Sequence, residues 1–171
     1  MGRDKAFLPF RGGLLMEPVA QAVRLAAGSV VLVGNPEVYG SLVFSAIPDL
    51  YPGEGPLGGI LTALLHSTAE WNVVAACDMP GITAEFLTAL IQAAEHSDAD
   101  ALVPTGASGR PEPLCAAYHR RARQGLEAAF GSGARAVTAA LPTVRTTLFP
   151  VPELSLFQNV NTPEEWAAHG S

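Results

Sequence analysis

The chain has 171 residues, enough for one domain that hides about 70% of its unfolded surface, and no second core is required. Its 49% hydrophobic and 15% charged residues exclude a disordered chain, while 17 glycines and 14 prolines imply many sharp connections. A net charge of −6 argues against nucleic acid or an anionic membrane as partner, yet it leaves room for a phosphate ligand, because charges beyond ~8 Å are screened.

Residues 14–27 carry apolar side chains at helical spacing and stop at Gly28, after which residues 29–33 read as a fully buried strand. A short helix over 57–66, opened by Gly55 and Pro56, leads to a strand over 71–77. Thr83 is the expected N-cap of a helix through about His96. A strand over 101–104 follows, then an extended segment at 113–118, helices over 121–130 and 134–141, an extended segment at 143–149, and a last helix from about Pro163. This alternation predicts a single α/β domain over 1–171, Rossmann-like and doubly wound, with a mainly parallel sheet and helices on both faces. No strand is predicted before the first helix, where such a sheet usually has a central one, so the neighbouring strands are expected to lack a backbone partner.

Cys77 and Cys115 each lie in an apolar run and form no Cys-x-x-Cys pair, so buried, unbridged thiols in a reducing compartment are expected. No apolar stretch reaches the ~20 residues of a membrane span, and the amino end has no signal-peptide core. A cytoplasmic location without membrane association follows. The four histidines, His66, His96, His119 and His169, show no mutual spacing suited to a metal site or a triad.

Chemistry concentrates at the predicted strand ends. The apolar run Val73, Val74, Ala75, Ala76 and Cys77 ends on Asp78, followed by Met79, Pro80 and Gly81. A carboxylate closing an inner strand stands at the edge where open α/β sheets bind ligands, and it needs a cation there. A divalent metal carrying a nucleotide suits it, since Mg²⁺ commonly takes one or two carboxylates, waters and phosphate oxygens; a turn role is the competing explanation. The opening loop, with Gly2, Arg3 and Lys5, has the composition of a phosphate-holding loop or of a solvated terminus.

Asn35 follows a predicted strand and offers both donor and acceptor to a heterocyclic base, unless it serves only its Asn-Pro turn. Asp49 precedes the glycine-rich run Gly53, Gly55, Gly58 and Gly59; its carboxylate suits the N1 and N2 hydrogens of guanine, and Gly58 and Gly59 let a ring approach backbone or let helices pack closely. Arg110 and Glu112 sit on a proline-stiffened loop that faces either substrate or solvent. Thr162, Pro163 and Glu165 make a capping box, whereas Asn159 and Asn161 share one side of an extended segment, where paired amides grip a polar ligand or a second metal.

Taken together, residues 1–9, 55–59, 77–80, 110–114 and 159–165 occur in the order of one family, and the chain resembles the molybdenum cofactor guanylyltransferases, nucleotidyltransferases of the nucleotide-diphospho-sugar transferase type. The resemblance spans nearly the whole chain and implies transfer of GMP from GTP to molybdopterin, release of pyrophosphate, and Mg²⁺ as cofactor. By similarity Lys5 contacts the triphosphate, Asn35, Asp49 and Gly58 lie beside the guanine, and Asp78 holds Mg²⁺. Arg135, Asn159 and Asn161 would line the pterin-phosphate side. Cofactor-delivery proteins are further implied partners. The family carries a strand and a glycine loop ahead of the stretch at which this sequence begins, so the domain is expected to lack its first strand. Two alternatives remain at this point: a cytidylyltransferase or other nucleotidyltransferase of the same fold, and a non-catalytic nucleotide- or cofactor-binding domain.

Overall fold

The computed structural model describes residues 5–39, 42–106, 109–152 and 154–157. A 3-10 turn, Lys5–Phe7, leads into a minimal antiparallel hairpin of β1 (Pro9–Phe10) and β2 (Gly13–Leu14), reversed through Arg11 and Gly12 at φ 46° and 84°. The first long helix, α1 (Met16–Ala27), ends as predicted at Gly28, which takes φ 77° and returns its N–H to the carbonyl of Arg24. Then come β3 (Val31–Val33), the one-turn α2 (Pro36–Tyr39), β4 (Ser45–Ile47) and α3 (Pro56–His66), whose first residue is a proline that lacks the N–H a helix start leaves unused.

The strand β5 (Trp71–Ala75) precedes α4 (Ala84–Glu95), capped by the hydroxyl of Thr83 accepting from the N–H of Phe86 at 3.2 Å. The remaining elements are β6 (Ala101–Thr105), β7 (Cys115–His119), α5 (Ala122–Gly131), α6 (Val137–Ala140) and β8 (Thr146–Pro150). The helix expected over 134–141 is shorter than read. Ala134 still bonds back to Ala129, Gly133 takes φ 98°, and Leu141–Thr143 tightens into a 3-10 turn around Pro142. The helix expected from Pro163 lies outside the described residues.

The alternation of helix and strand is the α/β architecture that the sequence implies. Four strands pair in the order β5-β7-β6-β8, with β6 and β8 parallel and β7 running against both of its neighbours. Side chains alternate between the faces as a strand's period of two requires. Val74, Ala101, Val103, Ala116 and Tyr118 pack with α3, α5 and α6, whereas Val73, Ala75 and Cys115 meet α1 and α4, and Leu102 and Ala117 meet α4. Helices therefore cover both faces.

The parallel pair β3–β4 forms a separate two-stranded sheet, and among the described residues no backbone ladder joins it to β5. This corrects one expectation about burial. The apolar run of β3 implies a fully buried strand, yet Val31 is 40% exposed. The strand β5, expected to be buried throughout, is half-buried along its whole length, while β6 is buried throughout. Among the described residues both β3 and β5 have a paired strand on one edge only, so no backbone ladder covers the other edge.

Candidate functional site

The parallel pair β3–β4 delivers its following residues to one end of its own ladder, and β5 and β6, both antiparallel to β7, deliver theirs to one edge of the four-stranded sheet. After β5 the chain makes one more strand-like bond, Ala76 N–H to the carbonyl of Leu114 at 2.7 Å, and then turns through Cys77 and Asp78 with Met79 N–H returning to Ala76. Asp78 thus stands three residues beyond the end of β5 and not on the strand itself. Met79 and Ile82 are buried beneath this turn, which fixes its direction.

Lys5 reaches the same place from the other end of the chain. Ala6 is buried in a cluster with Met16, Ala20 and Tyr39, and Cys77 packs against that cluster together with Leu32 and Ala46. With Ala6 buried in this apolar cluster and the half-buried Cys77 packed against it, Lys5 and Asp78 come to lie side by side. Their Nζ and Oδ2 lie 4.0 Å apart, with the lysine side chain 52% and the aspartate side chain 21% exposed. That separation is longer than a hydrogen-bonded pair, and the carboxylate accepts no hydrogen bond among the described residues. A turn-capping use of Asp78 is therefore not what the structure contains.

This donor set suits a hard divalent cation. The carboxylate keeps its lone pairs, is partly open to water, and faces a lysine that can share anionic oxygens. No group of three or more His, Cys, Asp or Glu side chains that could hold a metal gathers among the described residues, here or elsewhere. A single Asp, with waters and phosphate oxygens completing an octahedron, is the way Mg²⁺ is usually held in phosphate-transfer sites.

Asn35 and Asp49 close β3 and β4 and organise their own loops. Asn35 is exposed; its Oδ1 accepts from Glu37 N–H at 2.9 Å and its carbonyl from Val38 and Tyr39, so it starts α2, while Nδ2 makes no hydrogen bond among the described residues. Asp49 turns Oδ1 toward Tyr51 N–H at 2.9 Å and the hydroxyl of Thr62 at 3.1 Å. Thr62, only 2% exposed in the middle of α3, also accepts from Leu50 N–H. The second carboxylate oxygen of Asp49 makes no hydrogen bond among the described residues.

Gly58 is buried where α3 starts, and a Cβ there would come within 2.8 Å of the Tyr51 Cβ. Close packing accounts for that glycine. Gly59 differs, because a Cβ on it would meet nothing within 4 Å. Arg135 is heavily committed: its Nε pairs with Glu54, its Nη1 donates to the carbonyls of Phe130 and Ala134 at 2.9 and 3.0 Å, and the guanidinium lies over the Phe130 ring. Its carbonyl accepts from Leu57 N–H and would be 3.1 Å from a Cβ on Gly55. The residue therefore clamps the start of α3 to the end of α5. Nη2 makes no hydrogen bond among the described residues. Asn159 and Asn161 lie outside the described residues.

Two contributors had no clear mark in the sequence. Thr62 orients Asp49 across one turn of buried helix, and the only hint is a lone hydroxyl among Ile60, Leu61, Ala63 and Leu64. Glu54 pairs with Arg135 across the tertiary fold, with no sequence spacing to announce it.

The chain as a whole is similar to several known proteins. Residues 1–145 match the MobA-like NTP transferase domain. A protein of Deinococcus radiodurans named a probable molybdenum cofactor guanylyltransferase is 31% identical, with 97% of this chain and 85% of the relative covered. One of the same name from Bacillus cereus is 28% identical, over 96% and 86%. Among solved structures, molybdopterin-guanine dinucleotide biosynthesis protein A from Archaeoglobus fulgidus superposes with a TM-score of 0.83 at 30% identity, covering 99% of this chain and 90% of that one. The 2-C-methyl-D-erythritol 4-phosphate cytidylyltransferase of Thermus thermophilus shares the fold at a TM-score of 0.76, 19% identity, and 99% and 93% coverage.

Proposed function

The chain belongs to the MobA-like NTP transferase domain family, and from that premise we propose that it transfers GMP from GTP to molybdopterin, releasing pyrophosphate and forming the guanine dinucleotide form of the cofactor. The observation that carries the reading is the meeting of Lys5 and Asp78 at the ligand edge, in a chain similar along most of its length to guanylyltransferases.

The reaction asks for positioning and charge neutralisation more than for covalent work by the protein. An oxygen of the terminal phosphate of molybdopterin bonds to the α-phosphorus of GTP. The bond from that phosphorus to the oxygen leading to the β-phosphate breaks, and pyrophosphate leaves with the electron pair. The incoming oxygen is already anionic, so no general base is required. Asp78 would hold Mg²⁺, which would supply positive charge to offset that of the phosphate oxygens. Lys5 extends over the same oxygens and takes up negative charge as it accumulates. Asp49 presents its uncommitted oxygen to the N1 and N2 hydrogens of guanine, with Asn35 Nδ2 beside the base and the open backbone at Gly59 against its ring, while the buried Gly58 lets α3 start close to Tyr51. Arg135, through Nη2, and Asn159 and Asn161 complete the acceptor's phosphate side. We place the reaction in the cytoplasm. In keeping with this, Cys77 and Cys115 remain thiols and no helix among the described residues is long and apolar enough to cross a membrane.

The decisive experiment is a transfer assay with molybdopterin and competing GTP, CTP and ATP, in the wild type and in Asp49→Asn. Guanine transfer is expected to dominate in the wild type. In the variant the preference for GTP over CTP should fall by about 1–3 kcal/mol, roughly 10- to 100-fold, the usual worth of a hydrogen bond to a charged group. Equal use of the three nucleotides by the wild type would overturn the guanylyl assignment.

A further inference from the structure

The loop between β6 and β7 stands at the ligand edge, and the roles assigned above leave it unused. Its far end is tied to the turn that carries Asp78: Leu114 accepts the hydrogen bond from Ala76, and beyond this last shared bond both chains turn at once. Asp78 lies two residues past Ala76, and Glu112 two residues before Leu114. The loop is also held by Glu112 N–H to the carbonyl of Pro104 at 2.8 Å, by Cys115 N–H to the carbonyl of Glu112 at 3.0 Å, by the Tyr118 hydroxyl to the carbonyl of Pro113 at 2.8 Å, and by a bridge between Thr105 and Pro111. Pro111 and Pro113 stiffen it further. Leu114 packs against two apolar clusters, the one that contains the buried residues of α3 and the one that contains Met79 and Ile82, so this loop root joins both.

Glu112 is thus a fixed, half-buried carboxylate, and neither of its oxygens makes a hydrogen bond among the described residues. Burial pushes its carboxyl above the ordinary value, opposed by the charge of Arg110. A carboxylate already stripped of part of its water gains more from two well-placed donors than an exposed one does. It precedes β7, which covers one edge of β5, whereas Asn35 and Asp49 follow the strands of the separate β3–β4 pair.

We propose that Glu112 is the specificity-determining residue for the acceptor, taking the 2-amino and N3 hydrogens of its pteridine ring on its two carboxylate oxygens. The inference rests on the reading that the acceptor is molybdopterin. The chemistry follows from the ring: a 2-amino-4-oxopteridine presents the same pair of adjacent donors as guanine, and a carboxylate is their natural complement. Asp49 has one oxygen engaged by Tyr51 and Thr62, whereas Glu112 has both to offer. One protein thereby reads the same donor edge twice, on nucleotide and acceptor, from two sides of Asp78.

The test uses the full chain and two stable probes, a 6-substituted pterin monophosphate and its 2,4-dioxo counterpart, a lumazine, which places an acceptor where the amino group stood. Binding is followed by pteridine fluorescence, and GTP binding is titrated separately. The wild type should bind the pterin at least tenfold more tightly than the lumazine. In Glu112→Gln, whose amide can donate to the 2-oxo group, that preference should vanish and GTP affinity should stay within twofold. In the transfer assay the same variant should raise the KM for molybdopterin about 10- to 100-fold and leave the KM for GTP unchanged. Retention of the pterin preference by Glu112→Gln, a parallel loss of GTP affinity, or no pterin binding by the wild type would each overturn the proposal. Failure of the wild type to transfer GMP, with a Glu112-dependent pterin preference intact, would remove the reaction assignment and leave the pterin site standing.

Discussion

Replacing Asp78 by Asn should abolish turnover while leaving the fold almost untouched, and the structure sets both magnitudes. The carboxylate accepts no hydrogen bond among the described residues, and its ion pair with Lys5 spans 4.0 Å with the lysine side chain 52% exposed. Coulomb's law gives about 4 kcal/mol for unit charges at that distance and an effective dielectric constant near 20. Measured pairs that are this open to water are worth only about 0–1 kcal/mol, because screening and side-chain entropy consume the rest. For a chain of this size the melting temperature should therefore fall by no more than about 2–4 °C. Losing the anchor for a divalent cation at the reacting phosphorus should cost several kcal/mol in the transition state, or about 10²- to 10⁴-fold in kcat. Thermal unfolding and GMP transfer would be measured on the same preparation. Activity within tenfold of the wild type would remove Asp78 from the chemistry, and a melting point lowered by more than 10 °C would show that the residue supports the fold instead.

Gly58→Ala should lower stability by about 1–3 kcal/mol, because the added methyl would stand 2.8 Å from the Tyr51 Cβ; chemical denaturation checks this, and Gly59→Ala, with nothing within 4 Å, is the control that should fold normally. Acid should unlock a second device, far from the site. Partial burial raises the carboxyl of Asp100, but hydrogen bonds from the side chains of Arg145 and Arg121 and from the Arg145 N–H outweigh it and hold its pKa at about 2, below the ordinary 3.8. A carboxyl depressed on folding stabilises the fold fully above its unfolded value and loses that contribution as pH falls through the folded one. Asp100→Asn should accordingly destabilise the protein by about 1–2 kcal/mol above pH ~4, discounted because both arginines are substantially exposed, and the gap to the wild type should close toward pH ~2. A gap that stays constant across that window would refute the linkage.

Local chemistry is why so much of the architecture was legible in the sequence. Gly28 ends α1, Thr83 caps α4 and Pro56 opens α3, each through bonds to residues at most four positions away. The same holds for the motifs at Asn35 and Asp49, whose turns are short-range. Local rules cannot count partners across a sheet. For that reason β3 and β5, equally apolar in sequence to β6 and β7, came out more exposed, and β7 took an orientation opposite to its neighbours that periodicity has no means of encoding.

The site divides in the same way. The amino-acid order by itself marked Asp78 and Asn35 as residues that follow strands, because strand ends are written in local chemistry, whereas β4, the strand ahead of Asp49, emerged only in the folded chain through its pairing with β3. Only the tertiary structure decided that Lys5 meets Asp78, since the contact depends on Ala6 and Cys77, seventy-one positions apart, packing at one apolar cluster. It also decided which carboxylate oxygens stay available. Thr62 engages one oxygen of Asp49, two arginines engage Asp100, and Glu112 keeps both of its own, distinctions set by which neighbours each carboxylate meets in the folded chain.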